Sequence, residues 1–182
     1  MWPVETFNFL FSLGTVLLQT AIIAMIAVYV LRARYAWCTS VAALISRYAM
    51  LVGMYFAAVV VASSLFYSEV LGVLPCGLCW LQRVFLYPQA VLFSVAVWKR
   101  ERVIADYSIV LSVFGAVVAL YQHYLQMGGG ALLPCPAVQL AADCSRQTFL
   151  EFGYITLPLI GFTSCAFLIV LMLYAKKGDS GK

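Results

Sequence analysis

The chain has 182 residues, of which 65% are hydrophobic and 10% charged, and its formal net charge is +4. A soluble domain carries roughly 25% charged residues, so this composition excludes an ordinary water-soluble fold and leaves a membrane protein. The apolar runs are continuous rather than alternating, which points to helices, whose backbone groups are satisfied internally where lipid offers no partner.

A helix needs about 20 apolar residues to cross the hydrocarbon layer, and five runs reach that length. The expected fold is therefore an all-α integral membrane protein. The first span covers about residues 7–31, "FNFLFSLGTVLLQTAIIAMIAVYVL". Its start carries only Glu5 and no basic residue, and it is too long for the apolar region of a signal peptide, so it reads as a retained span. Arg32, Arg34 and Arg47 follow it. The second span, about 48–67, leads into the short turn "SEVLGVLP" and then into "CGLC", Cys76 to Cys79. The third span, about 80–98, holds Arg83 and Tyr87-Pro88 and is followed by Lys99, Arg100 and Arg102. The fourth, about 104–124, ends in "YQHYLQ" with His123, the single histidine. A long loop containing "MGGG", Cys135 and Cys144 leads to the fifth span, about 154–174, and to Lys176, Lys177 and Lys182.

Lys and Arg in short loops mark the cytoplasmic side. Nine of the eleven basic residues follow spans one, three and five, while Arg83 and Arg146 lie at the opposite ends. The N-terminus is thus expected outside and the C-terminus in the cytoplasm. These loop charges account for the net charge without nucleic acid. Both spaced cysteine pairs then face outward, where disulfides form and persist outside a bacterial cytoplasmic membrane. Cys38 falls on the cytoplasmic side and Cys165 inside span five, and both read as buried or inert thiols.

Each outward loop has its own chemistry. Cys79 is expected at the N-terminus of the third helix, where unpaired N–H groups and the macrodipole favour negative charge. A thiolate is the form that attacks a disulfide. Arg83 lies about 6 Å further along that helix and about 40° around it, in the same corner. The pair Cys76–Cys79 reads as redox-active, as a static disulfide or as half of a zinc site. In the second loop, Gly128, Gly129 and Gly130 are expected to form a hinge. Pro134 and Pro136 favour extended backbone around Cys135, suited to presentation to a partner. "AVQLAAD" reads equally as a short surface helix or a plain loop. The eight-residue gap between Cys135 and Cys144 is compatible with a disulfide but leaves pairing open. His123, Gln122 and Gln126 form a polar cluster that suits a polar head group or proton relay. Pro88 removes a helix hydrogen bond and is expected either to kink span three or simply to be tolerated.

"PCGLCWLQRVFLYPQ" (75–89), "YQHYLQ" (121–126) and "PCPAVQLAADC" (134–144), in that order, resemble the DsbB/BdbC family of membrane thiol oxidoreductases. The resemblance covers about residues 45–175. It implies a four-helix redox core there, an additional N-terminal helix and cytoplasmic loop over 1–44, and a cytoplasmic tail over 176–182. It further implies that the catalytic cysteines are Cys76, Cys79, Cys135 and Cys144. A soluble or tethered thioredoxin-like thiol oxidase of the DsbA/BdbD type would deliver electrons to Cys135–Cys144. Exchange would pass them to Cys76–Cys79, and Cys79 would hand them to a membrane quinone, ubiquinone or menaquinone. Carried over by position, Arg83 would bind the quinone head, with His123 and Gln126 near it. The short Cys135–Cys144 gap is similar to the BdbC-like branch, and Gln122 stands where some members have an acid. A vitamin K epoxide reductase-like enzyme and a membrane subunit with purely structural disulfides are the rival readings. The order of motifs, with the CxxC before the loop pair, fits DsbB better than the first rival.

Overall fold

Each apolar run folds into a helix in the computed structural model, which describes residues 4–130 and 143–177. The helices are α1 (Val4–Leu31), α2 (Ala36–Leu65), α3 (Gly77–Lys99), α4 (Ile104–Gln126) and α5 (Leu157–Lys177). All five are long and apolar enough to cross a membrane. No strand occurs among the described residues, only an isolated bridge between Glu151 and Ile155. The protein is an all-α, multi-pass membrane protein.

Helices α2 to α5 pack in a ring, α2 on α3, α3 on α4, α4 on α5 and α5 on α2. Lipid supplies no hydrophobic drive between helices, so close packing of small residues does that work. The buried stripe of α2 is Cys38, Ala42, Ser46, Ala49, Gly53 and Ala57, and that of α4 includes Ala105, Ser108, Ser112, Gly115 and Ala119. The three- and four-residue steps place each set on one helix face. Phe93, Leu168 and Met172 fill the space so created. Gln89 ties α3 to α4 at the buried centre, donating to Ser112 Oγ at 3.1 Å and accepting from Ser108 Oγ at 2.7 Å.

The added helix α1 lies against α2 and α5. Its buried polar residues Asn8, Ser12 and Thr15 share a face. Tyr67 OH donates to Asn8 Oδ1 at 2.8 Å, Gln19 Nε2 to Thr163 Oγ1 at 3.3 Å, and Tyr154 OH to Gln19 Oε1 at 3.0 Å. Such bonds average about 0.6 kcal/mol each inside a membrane protein, enough to fix the rotation of α1 on its neighbours.

Away from the cysteine pair, three features differ from the sequence expectation. Residues 36–47, expected in a loop, form the first three turns of α2, leaving only 32–35 as the connection. "AWCTSVAALISR" contains neither Gly nor Pro, so nothing stops a helix from propagating through it. Helix α2 then widens into a π-helical turn, Phe66–Val70, closed by Leu71 N–H donating to Phe66 O at 3.1 Å. The third difference concerns "MGGG". The residues end α4 in a Schellman arrangement, with Gly129 N–H on Tyr124 O at 3.0 Å and Gly128 N–H on Leu125 O at 3.2 Å. Gly128 has φ +92°, the left-handed geometry this cap requires. The glycines therefore stop a helix where a hinge was expected. Helix α3 runs unbroken through Pro88. Cys135, its flanking prolines, and "AVQLAAD" up to Ala142 lie outside the described residues.

The ends of the bundle are chemically distinct. At one end Arg102 Nη1 donates to Ser46 Oγ and to Ala175 O, both at 3.3 Å, and Lys176 pairs with Asp106 at 2.6 Å. The other end carries Cys76, Cys79, Gln122 and Cys144.

Candidate functional site

The site is built on the first turn of α3. Cys76 is the N-cap residue, extended at φ −78° and ψ 173°, and its sulfur accepts from the Cys79 backbone N–H at 3.3 Å. The helix thus begins three residues earlier than expected, with Cys79 inside its first turn. One helical turn brings the two sulfurs to 2.8 Å, so a disulfide requires a closing movement of less than ~1 Å. Hydrogen bonding to the Cys79 sulfur, aided by burial, pushes the Cys76 thiol pKa up and keeps its proton in place.

Both sulfurs are touched by one amide. Gln122 Nε2 on α4 donates to Cys76 Sγ at 3.1 Å and to Cys79 Sγ at 3.2 Å. Gln82 Nε2 donates to the Gln122 carbonyl oxygen at 2.6 Å. That bond fixes the amide so that its NH2 group faces the sulfurs. Behind Gln82 stands Gly161 of α5, where a Cβ would come within 2.6 Å of Gln82 Oε1. Gln122 is buried, and removing a donor to a charged acceptor costs about 1.5–3 kcal/mol. Gln122→Leu is expected to slow iodoacetamide alkylation of the reduced Cys76–Cys79 pair by about tenfold at fixed pH. A rate equal to wild type would remove Gln122 from the site.

Arg83 is anchored to α2. Its Nε donates to Ser64 Oγ at 3.1 Å and its Nη2 to Ser64 O at 3.2 Å, while Tyr87 OH reaches the same Ser64 Oγ at 3.1 Å. The guanidinium carbon lies 5.0 Å from the centre of the Trp80 ring. Nη1 has no hydrogen-bond partner among the described residues and is left to donate elsewhere. Ser64 precedes the π-helical turn, a kind of irregularity that often marks functional sites.

The described part of the second loop, from Asp143 onward, forms a strap over this end. Cys144 is buried and disulfide-bonded. It packs in one apolar cluster with Cys76, Leu78 and Leu125. Gln126 Nε2 donates to Arg146 O at 3.1 Å, and Gln147 Nε2 returns a bond to Gln126 O at 2.7 Å. Asp143 Oδ1 accepts from Ser145 N–H at 3.0 Å, which holds its carboxyl below the usual range.

Beneath the strap lies a cavity of about 780 Å³, walled by all five helices, α4 contributing Gln122 and Gln126. Its apolar lining includes Phe11, Leu18, Phe56, Val60 and Leu86. Cys76, Cys79, Arg83, Gln122 and Gln126 supply polar groups to it. Gln126 Oε1 is buried and has no hydrogen-bond partner among the described residues.

Of the residues singled out from sequence, Cys76, Cys79, Arg83 and Gln126 meet at this cavity. Cys144 adjoins the cysteine pair. His123 does not line the cavity; its Nδ1 pairs with Thr156 Oγ1 at 2.8 Å. Cys135 lies outside the described residues. Cys38 and Cys165 are buried free thiols. Gln82 and Ser64 were not anticipated, and Gln122 was anticipated only as part of a polar cluster. The signal was present: glutamines within spans are costly unless satisfied, so they mark functional interiors.

Comparison with known proteins follows the same residues. The family described as disulfide bond formation protein DsbB matches residues 46–175. The probable disulfide formation protein C of Bacillus cereus is 33% identical over 129 residues, covering 68% of this chain and 92% of the relative. The disulfide bond formation protein C of Bacillus subtilis is 28% identical over 123 residues, covering 66% and 86%. A probable disulfide formation protein of Chlamydia caviae is 34% identical over 116 residues, covering 63% and 82%. No solved structure gives a significant match.

Proposed function

The chain belongs to the DsbB family of disulfide bond formation proteins, an oxidoreductase family, and we propose that it reoxidises an extracytoplasmic thioredoxin-like thiol oxidase and passes the electrons to a membrane quinone. One observation carries this reading: a close cysteine pair and a guanidinium with a free donor share one apolar cavity.

The proposed route begins at the strap. A thiolate of the reduced partner attacks the Cys135–Cys144 disulfide, giving a mixed disulfide and one free thiol. The partner's second thiol resolves it, leaving the partner oxidised and Cys135 and Cys144 reduced. Exchange with an oxidised Cys76–Cys79 pair moves two electrons inward, and the packing of Cys144 beside Cys76 supports that step. The Cys76–Cys79 dithiol then yields two electrons and two protons to the quinone, closing its own disulfide and leaving hydroquinone.

The residues present fit such a ligand. Phe11, Phe56 and Leu86 suit an apolar ring and tail. Arg83, whose Nη1 has no partner among the described residues, would hold the head of such a ligand and stabilise negative charge developing on it. Gln126 lines the same cavity, but its Oε1 is shielded, so this residue would shape the head site rather than accept from the ligand. Charge on the reduced pair would be steadied at Cys79 by the Gln122 amide. His123 is assigned a supporting place: its bond to Thr156 ties the end of α4 to the start of α5. The redox core is residues 45–175, with 1–44 as an addition and 176–182 as a tail. The N-terminus and the cysteine end face outward, and the arginine- and lysine-rich end faces the cytoplasm.

The test uses purified protein in lipid with a reduced thioredoxin-like partner and ubiquinone or menaquinone. Quinone absorbance is expected to fall in step with partner thiols, two thiols per quinone. Thiols that persist while quinone stays oxidised would exclude the reading and favour purely structural disulfides.

A further inference from the structure

Helix α1 fills the groove between α2 and α5 but makes no contact with α3, although both line the cavity. Its lining residues are Leu10, Phe11, Gly14, Thr15 and Leu18. On α1 and α2, cavity-lining residues also reach the bundle surface: Leu10 is 55% exposed, Val59 of α2 is 61% exposed, and Gly14 is exposed as well. The cavity thus has exposed lining on the flank along the α1–α2 seam, besides its exposed lining at the cysteine end, where Leu74 and Arg146 lie. Gly14 is helical, and a Cβ there would meet nothing within 4 Å. Glycine in a helix interior costs about 0.5–1 kcal/mol against alanine, and here neither a positive φ nor close packing asks for it. What glycine supplies at this point is space. Five residues separate Val59 from Ser64, so the opening lies about 7.5 Å deeper in the membrane than the anchor of Arg83.

We propose that α1 turns an open groove of the four-helix core into a side-entered tunnel, and that Gly14 is the window through which the isoprenoid tail of the quinone passes to lipid. This rests on the quinone reading above. The head would sit beside Arg83 while the tail runs out between α1 and α2 past Leu10, Gly14 and Val59. Window and head site are distinct places, so they separate experimentally.

The experiment measures binding directly, by quenching of tryptophan fluorescence, with Trp80 beside Arg83 as reporter. Two probes are titrated into protein in detergent: a long-chain ubiquinone and a tail-less benzoquinone. Gly14→Phe is expected to weaken the long-chain probe by about tenfold, about 1.4 kcal/mol, because the ring would occupy the open window, and to leave the tail-less probe within about twofold. Leu17→Phe, on the lipid-facing side at 64% exposure, is expected to change neither. Equal weakening of both probes, or of neither, would overturn the window. Should Gly14→Phe fail to accumulate, Val59→Phe from the other rim must produce the same tail-selective loss. If the wild-type protein binds neither probe, the quinone reading itself fails, which is a separate outcome.

Discussion

Replacing Cys79 with serine is expected to lower quinone reduction by about a thousandfold or more, the scale on which loss of a nucleophile acts. The loss should be confined to the inner half of the route. A hydroxyl at position 79 is a far weaker nucleophile than a thiolate and cannot close a disulfide with Cys76. On the proposed route the disulfide of Cys144 does not involve residue 79, so one round of exchange between reduced partner and a Cys135–Cys144 pair should survive. Stopped-flow mixing with reduced partner is therefore expected to show a single equivalent of partner oxidised, with no quinone consumed. Cys76→Ser breaks the cycle differently: the lone Cys79 thiolate would attack the proposed Cys135–Cys144 disulfide, bonding to one sulfur and releasing the other as a thiol, and with no Cys76 to resolve it that mixed disulfide should accumulate. Steady turnover by Cys79→Ser within tenfold of wild type would sink the assignment.

The second large effect is at Arg83. Arg83→Ala removes a charged donor from a largely apolar cavity, and hydrogen bonds to charged groups are worth about 1.5–3 kcal/mol, so the apparent KM for quinone is expected to rise by about 10- to 100-fold. The rate of partner exchange at the strap should stay at the wild-type value, because Arg83 faces the cavity and is anchored on α2. Arg83→Lys is not a conservative rescue. A lysine ammonium is a point charge and cannot hold both Ser64 acceptors while offering a further fixed donor, so partial recovery is expected. An unchanged KM in Arg83→Ala would remove the guanidinium from the quinone site.

The spans were legible because they depend on composition. Hydropathy finds helices in a membrane for the reason that lipid leaves the backbone no alternative. The start of α2 was missed because Arg47 reads as a loop residue, while a helix longer than the hydrocarbon layer accommodates it by tilting or by extending beyond the layer. The glycine run was misread because glycine serves both as hinge and as helix terminator, and only the Tyr124 and Leu125 carbonyls decide between them. At the site, Cys79 and Arg83 were legible from one helix's own periodicity. The relay from Gln82 through Gln122 to the sulfurs joins two helices 40 positions apart, and single-helix spacing carries no information about such a pairing. The rotation of α1 was within reach: Asn8, Ser12, Thr15 and Gln19 recur at steps of four, three and four, a stripe that polar docking in lipid requires.

The wide turn at Phe66–Val70 acts as a phase shifter. Each residue of an α-helix advances the chain by about 100° of azimuth, so the one residue absorbed by the wider coil decides the direction in which the backbone leaves α2. It also sets where Tyr67 points, and Tyr67 is the residue that grips Asn8. The same short stretch thus aims the cysteine-bearing connection at α4 and docks the added helix on the bundle's flank, binding redox centre and membrane entry to one common bearing.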